Sequence, residues 1–128
     1  MTALKPYLAQ ANAMTSIKEL ETILPLWITL GANSPFGFYV GADGKNSSQN
    51  ITHVGQSGLS LPDKIYYLSD KEKYVTIRNQ YVNHIEKIYG ILGMENGAQH
   101  AKNVLELETE LAKISWDRTK LRDPNLRY

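Results

Sequence analysis

A chain of 128 residues, 42% of them hydrophobic, is long enough to bury one hydrophobic core without metals or cross-links. Fourteen Lys and Arg against thirteen Asp and Glu leave a formal charge of +1, which provides no long-range field to draw in nucleic acid or an anionic membrane. The lack of cysteine excludes disulfides, thiolate metal sites and cysteine nucleophiles.

From Met1 to Met14 the chain is polar and alanine-rich where a signal peptide needs an unbroken apolar core. No export signal is expected, and the compartment stays unknown. The longest apolar run, Ile23 to Leu30, falls far short of the roughly 20 residues that span a bilayer, so a soluble chain is expected. Ser16-Ile17-Lys18-Glu19 is a capping-box pattern and predicts a helix starting at Ser16. Pro25 cannot donate to a helical ladder, which predicts two short helices divided there rather than one long one. Gly31, Asn33 and Pro35 break the chain.

Phe36 to Gly41 and Asn50 to Gln56 are short runs rich in β-branched and aromatic residues, and the polar stretch between them carries Asp43-Gly44. They predict a β-hairpin, followed by an irregular segment through Gly58 and Pro62. Ser69-Asp70-Lys71-Glu72 predicts a second capped helix, with Tyr74, Ile77, Tyr81, Ile85, Ile88 and Leu92 at spacings of three and four and Gly93 as its left-handed end. Asn96-Gly97-Ala98-Gln99 predicts a third, with Ala101, Val104, Leu105, Leu111, Ala112 and Ile114 as its apolar stripe. Joined by so few residues, these two helices should pack as an antiparallel pair, and Asp123-Pro124 should turn the chain. The fold expected is α+β, predominantly helical, with one hairpin between an N-terminal helical pair and a C-terminal helical hairpin.

Chemistry is sparse. His53, His84 and His100 show no H-E-x-x-H spacing, which would place two imidazoles a turn apart on one helix face. Structural or surface roles are expected for all three. Glu106, Glu108 and Glu110 alternate by two, which distributes them around a helix, so they are read as solvated surface and not as paired catalytic carboxylates. Tyr66, Tyr67, Tyr74, Tyr81 and Tyr89 lack the basic patch that a nucleic-acid platform would need, and the glycines of Val40 to Lys45 belong to a turn, not a phosphate loop. Asn46-Ser47-Ser48 and Asn50-Ile51-Thr52 match the glycan acceptor pattern, a tripeptide common by chance.

Two stretches carry a resemblance. "FYVGADGKNSSQNITHVGQSGLSLPDKIYYL" is similar to a segment of neprilysin-like zinc metallopeptidases, in which an Asp turn, a Gln-x-Gly-Leu-x-Leu-Pro run and a Tyr-Tyr pair follow in this order. "VLELETELAKISWDRTKLRDPNLRY" resembles that family's acidic helix with its Arg-Asp-Pro and tyrosine. The similarity covers Phe36 to Tyr128, and Ser16 to Pro35 in outline. It implies that residues 1–128 are a single domain or subdomain, a fragment of the mostly helical N-terminal region of a larger endopeptidase that cleaves short peptides. In such a parent, zinc is held by H-E-x-x-H and a downstream glutamate. None of those residues is here, so no catalytic, cofactor or metal residue is assigned, and Gly58, Leu59, Leu61, Pro62, Tyr66 and Tyr67 are expected to fix a connector in the lobe that encloses the catalytic chamber. The partners implied are the remainder of the parent chain and its peptide substrates. Apolar surface at Leu24, Leu26, Trp27 or Trp116 would be left exposed in the fragment and would allow a homodimer. The alternative is a free-standing helical module that binds a peptide or protein beside the hairpin.

Overall fold

In the computed structural model, which describes residues 5–123 and 125–126, Ser16 takes extended backbone and its hydroxyl oxygen accepts the Glu19 N–H at 3.3 Å. This cap starts the second helix of a unit spanning Met1–Ser34, in which α1 runs Lys5–Ala13 and α2 runs Ile17–Thr29. The Glu19 carboxylate closes back on the Thr15 N–H at 2.7 Å, one residue earlier than a capping box at Ser16 requires. The N-terminal pair is therefore divided at residues 14–16 and not at Pro25, which lies inside α2. Proline brings no N–H to the Glu21 carbonyl, but the helix continues on the bonds around it. It ends only where Gly31, at φ +82°, donates to the Ile28 carbonyl at 3.0 Å and Ala32 donates to the Trp27 carbonyl at 2.9 Å.

The second unit spans Pro35–Tyr128. Strands β1 (Phe36–Ala42) and β2 (Asn50–Gln56) pair antiparallel, with Phe36 opposite Gln56 and Ala42 opposite Asn50. In the turn, the Asp43 carboxylate accepts the Lys45 N–H at 2.8 Å and the Asp43 N–H donates to the Gln49 carbonyl at 2.9 Å. After an irregular connector come α3 (Ile65–Leu68), α4 (Glu72–Ile91), α5 (Gly97–Ile114) and α6 (Arg118–Arg122).

Two of the predicted caps are not used. Ser69 ends α3 by donating its N–H to the Ile65 carbonyl, so α4 starts later, after Lys71, without a side-chain cap. Asn96 takes left-handed backbone at φ 57°, and its side chain makes no cap bond to the first turn of α5. The end of α4 is as expected: Gly93 at φ +69° donates to the Gly90 carbonyl and Met94 to the Tyr89 carbonyl, both at 3.0 Å. Helices α4 and α5 then pack as a pair, with α3 against both. Asp117 caps α6 by accepting the Lys120 N–H at 2.9 Å, and that bond holds its carboxyl below the ordinary range.

The core lies among α3, α4 and α5, where Tyr67, Ile85, Ala101 and Ala112 are buried. Ile88 and Ile114, both expected on apolar stripes, are exposed. Ile114 instead lines an open groove beside the hairpin with Val54, Trp116 and Leu121. Among the described residues no helix is long and apolar enough to cross a membrane.

The proline inside α2 can be tested locally. Replacing a mid-helix proline by alanine gains about 3 kcal/mol of helix stability, less about 1 kcal/mol for the freer unfolded chain. Pro25→Ala is expected to slow amide exchange across Leu26–Thr29 by roughly 30-fold, at about 1.4 kcal/mol per decade. Unchanged exchange would mean that Pro25 imposes no cost there.

Candidate functional site

The inward stripe of α5 runs Ala101, Val104, Leu105, Glu108, Leu111 and Ala112, the spacing of one helix face. Glu108 thus carries a carboxylate into the core at 6% exposure, whereas Glu106 and Glu110 stay exposed and Glu110 pairs with Lys113. The reading of all three as solvated surface is corrected for Glu108: alternation by two separates three carboxylates around a helix, and one of the three directions is the core.

A buried carboxylate is tolerated when its oxygens are hydrogen-bonded. The Ser60 hydroxyl donates to Oε1 at 2.6 Å, the Tyr67 phenol donates to Oε2 at 2.6 Å, and the Tyr81 phenol sits 3.0 Å from both oxygens. The donors come from the connector, α3 and α4. Tyr67 closes a further link, because its phenol oxygen accepts the Leu61 N–H at 2.8 Å. Burial, reinforced by the bond to Glu108, pushes the Tyr67 phenol well above its ordinary range, and burial likewise raises that of Tyr81.

The rest of the connector is fastened to the end of α5 and to α6. The Gln56 side chain donates to the Trp116 carbonyl at 3.0 Å and accepts the Trp116 N–H at 2.7 Å. Lys64 donates to the Ser115 carbonyl at 2.5 Å, and Arg118 reaches the Pro62 carbonyl at 3.2 Å and the Asp63 carboxylate at 2.8 Å. Arg78 from α4 donates to the Tyr66 and Ser69 carbonyls, both at 2.8 Å. Gly58 takes φ +89°, open to glycine and strained for other residues. Of the residues expected to fix the connector, Tyr67 is buried and Tyr66 meets Tyr74 edge-on at 5.1 Å.

The histidines are dispersed. His53 stacks on Tyr39 at 4.8 Å and its Nε2–H donates to the Ala42 carbonyl at 3.2 Å. His100 stacks on Tyr89 at 4.8 Å, and His84 is exposed. Among the described residues no group of three or more His, Cys, Asp and Glu is placed to hold a metal ion. The arrangement joins four segments around one anion and leaves that anion no open face for a substrate.

Such a site defines a structural section of a helical domain, and comparison with known proteins places it. Residues 1–128 match the N-terminal domain pattern of Peptidase family M13. Endothelin-converting enzyme 1 of Cavia porcellus is 40% identical over 98 residues, covering 73% of this chain and 13% of that protein. Neprilysin-3 of Drosophila melanogaster is 32% identical over 85 residues, covering 65% of this chain and 11% of its own length. Among solved structures, the Mycobacterium tuberculosis zinc metalloprotease Zmp1 in complex with an inhibitor superposes with a TM-score of 0.86 at 32% identity, over 99% of this chain and 20% of that one. The chain belongs to Peptidase family M13, as part of its N-terminal domain, and spans a fifth or less of the length of these relatives. Among the described residues none form a zinc centre, since Glu108 is surrounded by hydroxyls and no imidazole joins it.

Removing one donor from a buried carboxylate costs about 1.5–3 kcal/mol, so Tyr67→Phe is expected to lower stability by that amount at neutral pH, read from the urea midpoint. An unchanged midpoint would show that the carboxylate is not the anchor. The pH dependence has a definite sign. Tyr67 and Tyr81 hold their protons to higher pH when folded, so their contribution is intact below the unfolded value near 10 and is lost as pH rises past it. Stability should fall as pH rises above about 10, and Tyr67→Phe should make that decline shallower.

Proposed function

We propose that this chain is a section of the N-terminal lobe of a larger zinc metalloendopeptidase that cleaves short peptides, and that it helps to wall the catalytic chamber. Residues 1–128 act as one domain or subdomain of that lobe, with the remainder of the polypeptide as their partner. Zinc and the catalytic groups are supplied from outside this section, and none of its residues is assigned to catalysis. The superposition on Zmp1 across 99% of the chain supports this reading most strongly. The site adds to it, because the buried Glu108 carboxylate is committed to holding the connector in place.

The reading is tested by the size of the polypeptide in its source, using an antibody raised against residues 1–128. A band several times larger than 14.4 kDa, with zinc in the immunopurified protein, is the expected result. A band at 14.4 kDa overturns it and leaves a free-standing binding module. The purified 128 residues should show no peptide hydrolysis. Hydrolysis that persists after repurification and chelator controls would place catalytic groups in this section and contradict the assignment.

A further inference from the structure

Helices α1 and α2 bury none of their side chains. They nonetheless shape an apolar groove of about 560 Å³, lined by Tyr7, Leu8, Ala11, Trp27, Leu30 and Ala32. The Trp27 indole nitrogen is shielded from solvent, and among the described residues it has no acceptor. A donor withdrawn from water without a partner is destabilising, and so is an apolar groove left wet. Leu26 and Leu30 add to the exposed apolar surface at 48% and 53% exposure. Two helices of nine and thirteen residues are too short to persist on propensity alone. The unit needs an occupant.

We propose that the groove seats an apolar segment of the same polypeptide from outside residues 1–128. The inference rests on the larger-peptidase reading. The groove's chemistry favours such a segment: its lining residues carry no formal charge, so they offer nothing to an acidic or basic peptide. The length of the relative supplies the occupant. Zmp1 shares this fold over 99% of the chain, yet the chain covers 20% of Zmp1, so the relative carries about four times as much further polypeptide.

The experiment uses the full-length protein with the photoreactive p-benzoylphenylalanine in place of Leu30, irradiated and mapped by peptide mass. The expected adduct joins position 30 to a peptide of the same molecule outside residues 1–128. An adduct to residues 35–128, an adduct to a second copy, or no adduct overturns the proposal. Because that replacement can disturb folding, amide exchange over Lys5–Leu30 is compared between the unsubstituted full-length protein and the 128-residue chain. Exchange at least tenfold slower in the full-length protein is expected, and equal rates overturn the proposal. A polypeptide of 14.4 kDa in the source removes this inference together with the larger-peptidase reading, whereas a long polypeptide with an uncovered groove removes this one alone.

Discussion

A carboxylate in a core must be surrounded by donors, and that requirement at Glu108 organises the second unit. With Ser60, Tyr67 and Tyr81 all directed at one anion, the connector, α3, α4 and α5 have a single compatible arrangement. An apolar residue at position 108 would bury its surface in many orientations, because hydrophobic contact is not directional. Three hydroxyls on two oxygens are directional. The sequence between Gly58 and Tyr67 therefore carries no reactive group and is still narrowly specified: Ser60 and Tyr67 supply donors, Leu61 offers its N–H to the Tyr67 oxygen, and Pro62 and Asp63 receive Arg118.

The elements written in local chemistry were legible. Ser16, the paired β-rich runs and Gly93 each sit where their own side chain, or lack of one, favours the backbone found there. The Glu108 site was not read, although its position carried a signal. Position 108 lies seven residues after Ala101 and four before Ala112, so the apolar stripe runs through it. Charge alone sent it to the surface, and the partner hydroxyls are 27 to 48 residues away.

The misread boundaries share one cause. Ser69 and Asn96 have the right residue types for caps, but a cap depends on backbone conformation, and neighbouring elements set it. A four-residue helix too short to show periodicity takes Ser69, and the tight α4–α5 turn puts Asn96 in the left-handed region. Pro25 fails in the other direction: one lost ladder bond is a local cost that a thirteen-residue helix with good ends absorbs.

The spacing of the Glu108 donors also bears on the order of assembly. The Tyr81 link closes a loop of 27 residues that is mostly the α4–α5 pair, whereas Tyr67 and Ser60 close loops of 41 and 48. Loop closure costs more as the loop lengthens, and helical hairpins form from local contacts. The α4–α5 pair is thus the early structure, carrying its carboxylate half-dressed, and the connector arrives later as the piece that completes the shell. On a ribosome the order matters more, because Ser60 and Tyr67 emerge well before Glu108 and wait without their acceptor. Within the second unit, the connector and α3 consequently wait for α5 to emerge before their hydroxyls find an acceptor.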